Sequence, residues 1–226
     1  MTPVAANRKL GRYSIIEFDK NHPAPIDDLL SLHQELLPRS PVILLGESFM
    51  RDFYYSALVD EGLLFGSVAY LGTEPAGFCV ATDDSSGFIR TGMRKRWRQL
   101  MFTMTRSIVT SPARVLPVIE ALQIMQSRTD GVDHTNYGEL LSLGVRPAFR
   151  SCRDESGERL SISRDLVDSA LGRLRARGVS RMCAIVDADN LSAQLFYKSE
   201  GWGLVRSSVP GWRVPSVEFV WDGEPE

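Results

Sequence analysis

The stretch ISRDLVDSALGRLRARGVSRMCAIVDADNLSAQLFYKSEGW, residues 162–202, decides how the chain is read. Ile162, Leu166, Val167, Ala170, Leu171 and Leu174 recur at helical spacing, and Gly178 supplies the left-handed residue that commonly closes a helix. This predicts a helix from Ile162 to Arg177. Met182–Asp187 is a short apolar run of the buried-strand type. Asn190 is then a plausible cap for a second helix, Leu191–Lys198, because its short polar side chain can accept from an amide of the first turn.

Working outward, Tyr137–Val145 reads as a strand stopped by Pro147, followed by a polar loop from Arg150 to Arg159. Downstream, Val205–Val209 and Ser216–Trp221 read as two last strands. Upstream, Arg12–Asp19 alternates as a first strand, and Ile26–Leu37 carries a helical apolar stripe with Asp27 and Asp28 in its first turn. Gly46–Val59 reads as a second amphipathic helix ending at Gly62. Two apolar runs, Leu63–Tyr70 and Pro75–Thr82, flank Leu71-Gly72-Thr73-Glu74 and predict a hairpin. Hairpins early and strand–helix alternation late predict an α/β chain with a mixed central sheet and helices on both faces, in one domain spanning residues 1–226.

Between the third and fourth strands lies a basic segment, 88–128. It holds Arg90, Arg94, Lys95, Arg96, Arg98, Arg106, Arg114 and Arg128 against the single acid Glu120. Its apolar spacing predicts a helical insertion, with Pro112 and Pro117 dividing it into at least two helices. One reading is a solvated face packed on the sheet through Trp97, Leu100, Met101 and Phe102. The other is an acceptor site for an anionic substrate, or a membrane-surface face.

Composition excludes several classes. The 226 residues are 43% hydrophobic and 24% charged with a formal net charge of −2, which fits an ordinary globular chain and argues against nucleic-acid binding by charge. No apolar run reaches membrane-spanning length. Cys79, Cys152 and Cys183 are too widely spaced for a disulfide framework or a zinc site, and His22, His33 and His134 are too scattered for a metal cluster, so no metal is expected. MTPVAANRKLGRYS lacks the basic-then-apolar pattern of a secretion signal, which makes the cytoplasm the expected compartment.

GELLSLGVRPAFR, followed by the stretch quoted first, resembles the GNAT superfamily of N-acetyltransferases from Gly138 to Trp202. The match is strongest from Arg177 on: a helix ending RARGV, a strand ending VDADN, then SAQLFYKSEGW. The resemblance implies the GNAT acyl-CoA N-acyltransferase fold. In it two strands part, a pantetheine arm lies between them, and the pyrophosphate rests on a helix start. On that basis Leu143, Gly144 and Val145 are expected to offer backbone groups to the pantetheine arm of acetyl-CoA. Arg150, Arg159, Leu160, Ser161, Ile162, Ser163 and Arg164 are expected around the pyrophosphate, and Asn190, Ala193 and Phe196 along the cofactor. Serines stand at 161 and 163 where the family has glycines, and the loop before them is longer than usual; Gly157 offers another register.

Tyr197 matches the family's tyrosine beside the thioester sulfur, as general acid, or else is a core aromatic beside Phe196. Asn190 is a pantetheine contact, a helix cap, or both. Glu139 lies where many members place a general base, with Asp133 and His134 in reserve, or else is a solvated strand charge; Tyr137 is a candidate for the acceptor pocket. The expected activity is direct acetyl transfer from acetyl-CoA to a primary amine, a small-molecule acceptor such as a small amine or amino sugar, with a homodimer left open. The alternative is a catalytically degenerate GNAT-fold module that binds acyl-CoA or regulates.

Overall fold

The computed structural model describes residues 13–110, 137–150, 152–153, 160–209 and 214–223. The strands are β1 (Ser14–Phe18), β2 (Phe65–Leu71), β3 (Glu74–Thr82), β4 (Tyr137–Val145), β5 (Arg181–Asp187), β6 (Gly203–Arg206) and β7 (Ser216–Asp222). They form one seven-stranded sheet in the order β1-β2-β3-β4-β5-β7-β6. Neighbours run antiparallel except β4 and β5, which are parallel. A parallel pair needs a crossover, and helix α6 (Ile162–Ala176) lies on that connection. Gly72, at φ 63°, turns the β2–β3 hairpin.

Two hydrophobic cores lie on opposite faces of the sheet. Strand β3 serves both, sending Phe78 and Val80 to one and Cys79 and Ala81 to the other. The first core is roofed by α1 (Ile26–Leu36), α2 (Pro41–Leu44), a π-helical segment (Phe49–Ala57) continuing into α3 (Leu58–Asp60), and α4 (Phe88–Lys95). The second is roofed by α6, with Tyr197 of α7 (Leu191–Ser199) and the neighbouring Trp202 at its end.

Close strand packing makes Gly66 irreplaceable. A Cβ there would stand 2.1 Å from the carbonyl oxygen of Cys79 and 2.7 Å from the Phe18 ring. Gly66 pairs with Val80 in the interior of the sheet, so the strand has little room to yield. Gly66→Ala is expected to destabilise the fold by about 2 kcal/mol; a urea titration showing an unshifted midpoint would contradict this.

The structure corrects the sequence reading at several points. The second helix is not a regular amphipathic α-helix. Over Phe49–Ala57 it winds as a π-helix, and the Leu58 amide donates to the Phe53 carbonyl five residues back. The smaller turn angle per residue lets the adjacent Tyr54 and Tyr55 both turn inward. In the basic insertion the chain breaks at Arg96, between α4 and α5 (Trp97–Thr110); Pro112 and Pro117, where a division was expected, lie outside the described residues with the rest of the insertion. Helix α5 packs on the π-helix, burying Leu100 and Met104. Trp97, Met101 and Phe102, expected against the sheet, are 60%, 56% and 64% exposed. Lys95 and Arg96 are paired with Glu61. Strand β6 begins at Gly203 and forms the sheet edge, with β7 inserted beside β5.

Candidate active site

The site begins where β4 and β5 part. Their pairing covers Tyr137↔Arg181, Gly138↔Met182 and Glu139↔Cys183 and then stops, although both strands continue. A bulge in β4 sits at the parting. Val80 pairs with Ser142 and Ala81 with Leu140, so Leu141 is the extra residue. Such a bulge bends its strand and increases the local twist.

A cavity of about 370 Å³ occupies the gap, within the size range of small-molecule sites. One side is walled by the end of α1, the loop Leu37–Ser40, α2, Tyr54 and Phe88; the other by Asn190, Ala193 and Tyr197. The first group belongs to the α1 face and the second to the α6 face, so the cavity passes through the sheet. Leu140, Leu141, Ser142 and Leu143 form one rim, and Ile185, Val186 and Asp187 the other.

The expected site residues divide by where the fold puts them. Asn190, Ala193 and Tyr197 share one helical face through spacings of three and four residues, and with Leu143 they line the cavity. Asn190 also caps α7, its Oδ1 accepting from the Ala193 amide at 3.1 Å, which leaves its NH2 group for another partner. Tyr197 is 5% exposed and stacks on Phe219 with ring centres 5.7 Å apart. Burial, reinforced by the nearby Cys79 sulfur, pushes its phenol well above the ordinary range. Phe196 lies behind it, edge-on at 5.4 Å.

Gly144 and Val145 continue along β4, paired with Phe78 and Gly77 but not among the lining residues. At Gly144 a Cβ would come within 2.9 Å of Leu36, so glycine lets α1 approach β4 closely. Helix α6 starts at Ile162 as expected, after Ser161, with Leu160 packed beneath. Arg164 makes a bidentate pair with Glu200 at 2.8 Å, and Arg150 donates to the Val145 carbonyl. Arg159, Asp133 and His134 lie outside the described residues.

Glu139 is not a solvated strand charge: it is 1% exposed and accepts from Ser85 Oγ at 2.9 Å. Gly138 faces Leu174 of α6, so the next side chain points to the opposite, α1 face. Glu139 thus sits at the closed end of the gap, directly before Leu140 on the rim. Tyr137 is at the far end of that pairing, its hydroxyl accepting from Arg181 Nη1 at 3.1 Å, and does not line the cavity.

Sequence reasoning missed the α1–α2 wall and Asp187. Arg39 of the α1–α2 loop crosses the mouth of the gap. It reaches Asp187 at 2.9 Å, at the end of β5, and Asp189 in two bonds of 3.0 Å. The signal available was LLPRSP at 36–41, a basic residue between two prolines immediately after a helix. Among the described residues no group of His, Cys, Asp and Glu could hold a metal ion, and no helix is long and apolar enough to cross a membrane.

No protein-family model matches the sequence, and no curated protein matches it either. Solved structures do. The ribosomal-protein-S18-alanine N-acetyltransferase of Escherichia coli is 12% identical, with 95% of this chain and 96% of that one covered and a TM-score of 0.52. NAA60 of Arabidopsis thaliana, in complex with acetyl-CoA, is 15% identical over 93% of this chain and 98% of that one, with a TM-score of 0.53. SsHAT is 17% identical, covers 93% of this chain and 98% of its own, and has a TM-score of 0.59. The likeness is one of fold: the chain has the mixed sheet and helical layers of these N-acetyltransferases, the GNAT acyltransferase fold.

Proposed function

We propose that the chain is one acetyl-CoA-dependent N-acetyltransferase domain that transfers the acetyl group directly to a primary amine. The observation that carries this is the cavity through the parted strands, which joins the α6–α7 face to the α1–α2 face. A thioester entering from one face meets an amine entering from the other. Similar structures hold acetyl-CoA or coenzyme A, NAA60 of Arabidopsis and PaiA of Thermoplasma acidophilum among them. Acetyl-CoA supplies an activated acyl carbon: the amine nitrogen forms a bond to it, the C–S bond breaks, and the products are the amide and the free thiol.

The chain's own residues hold and polarise the reactants. The rim of β4 from Ser142 on, freed from β5, offers backbone groups to the pantetheine arm, and the NH2 of Asn190 adds a donor. The first-turn amides of α6, from Ser161 to Arg164, face the pyrophosphate at the positive end of a 15-residue helix. Glu139, buried at the closed end, takes the amine proton through water. Tyr197 donates its O–H to the sulfur as negative charge develops there.

A second reading, a degenerate acyl-CoA-binding or regulatory module, draws support from that helix start. Serines replace glycines there, Arg164 is held by Glu200, and Asp165 adds a negative charge to the first turn. Calorimetry separates the readings. Acetyl-CoA is expected to bind, and amines are expected to trigger thiol release. Binding without thiol release, or no binding at all, would favour the module, and thiol release with an amine would overturn it.

A further inference from the structure

The amine side of the cavity has a distinct chemistry. Its wall on the α1 face is built from Leu36, Leu37, Val42, Leu44, Tyr54 and Phe88. Arg39 and Asp187 are the charged side chains among the described lining residues, and both stand at the mouth. Their contact orients Asp187. Its Oδ2 lies 2.9 Å from Arg39 Nη2, so the carboxylate points toward the α1–α2 wall, away from α6. Arg39 is shared with Asp189, so the cluster of one guanidinium and two carboxylates carries one negative charge in excess. Asp187 is also the less exposed of the two acids, and its partial burial raises its affinity for a cationic partner relative to a fully solvated carboxylate.

We infer that the acceptor is a primary amine carried on an apolar body, such as an arylalkyl or alkyl amine, and that Asp187 captures its ammonium group at the cavity mouth on the way in. This deepens the acetyl-transfer reading and rests on it. An amino sugar fits poorly. Its hydroxyls would lie against leucine, valine and phenylalanine, with the Ser40 and Tyr54 hydroxyls and Arg39 at the mouth as the polar side chains among the described residues of that wall. Each hydroxyl left unpaired costs about tenfold or more in binding. The amine must also surrender its proton before attack, so Asp187 acts as a specificity residue that captures the ammonium at the entrance; the nitrogen then moves inward, where its proton leaves through water toward Glu139.

The test uses the full chain, acetyl-CoA, and a panel of phenethylamine, hexylamine and glucosamine, with thiol release as the readout. Phenethylamine and hexylamine are expected to exceed glucosamine in kcat/KM by about a hundredfold or more. Asp187→Asn is expected to raise KM for the amines by about tenfold or more, with kcat at saturation, acetyl-CoA affinity and melting temperature little changed. 2-Phenylethanol, which lacks the ammonium, should inhibit wild type and Asp187→Asn equally, an outcome that a merely structural role for Asp187 would not produce. Equal or better use of glucosamine, or an unchanged KM in Asp187→Asn, overturns the inference while leaving acetyl transfer standing. Should no amine release thiol, the acetyl-transfer reading falls. The pocket is then judged by ligand-observed NMR: tighter binding of phenethylamine than of 2-phenylethanol, abolished in Asp187→Asn, upholds the amine site, and equal binding overturns it.

Discussion

Tyr197→Phe is expected to lower kcat by about a hundredfold while leaving the dissociation constant for acetyl-CoA nearly unchanged. The ring is anchored by Phe219, Trp202 and Phe196, with centres 4.9 to 5.7 Å away, and phenylalanine keeps all of those contacts. What disappears is the hydroxyl. Burial holds that phenol protonated far above neutral pH, whereas an ordinary thiol ionises near pH ~8.5. Complete proton transfer from Tyr197 to the sulfur would therefore run uphill. Its contribution is a hydrogen bond that strengthens as the C–S bond breaks, which lowers the barrier without tightening the ground state. Steady-state kinetics beside calorimetry measures both quantities. Unchanged turnover removes Tyr197 from the mechanism, and an equal loss of cofactor affinity moves its role to the ground state.

Acidification from pH 7 to pH 4 is expected to remove about 3 kcal/mol of stability through His33 alone. The imidazole is fully buried on α1. Its Nδ1 lies 2.6 Å from the Tyr55 hydroxyl, its ring centre is 5.6 Å from that of Phe78, and its Nε2 is buried without a hydrogen-bond partner among the described residues. Burial penalises the cation and lowers the pKa from 6.5 to about 4. Above pH 6.5 the ring is neutral in both the folded and unfolded chains, so it adds no pH dependence. Between 6.5 and 4 the unfolded chain takes up a proton that the folded chain refuses, and stability falls. Below 4 both are protonated and the loss levels off. His33→Gln keeps an amide for Tyr55 and does not titrate, so its stability curve should lose this slope. Asp19 acts in a lower window. Although desolvation opposes it, the Asn21 and His22 amides, the His22 ring and Arg173 hold its carboxyl at about 2. Its contribution is present above its ordinary 3.8 and is lost as pH falls toward 2. Carboxyls raised by burial, such as Asp187 and Glu218, titrate alike in both proteins. Urea titrations from pH 7 to pH 4 giving parallel curves for the two proteins would refute the assignment.

The late strand–helix–strand–helix order was legible because each element has a strong local signal. The stripe from Ile162 to Leu174, the cap at Asn190 and the left-handed Gly178 all act within a few residues of one another. The hairpin at Gly72 was legible for the same reason. The α1–α2 wall was not, because a loop's packing partner depends on the long-range approach of α1 to Gly144 and of Arg39 to Asp187. The π-helical pitch of Phe49–Ala57 was hidden too. Its apolar residues also suit an α-helix, and only the surrounding core favours burying Tyr54 and Tyr55 side by side. The exposure of Trp97, Met101 and Phe102 likewise depends on which face of α5 meets the π-helix.

Periodicity, caps and turn residues, all local in the chain, were enough to determine a mixed α/β chain with its hairpin, its crossover helix and the Asn190–Tyr197 face. Tertiary structure alone decided where β4 and β5 separate, that Glu139 is buried beneath Ser85, and that Arg39 and Asp187 meet across the opening. Those facts join residues up to about 150 positions apart, and no pattern within a short window encodes the free energy of such an encounter.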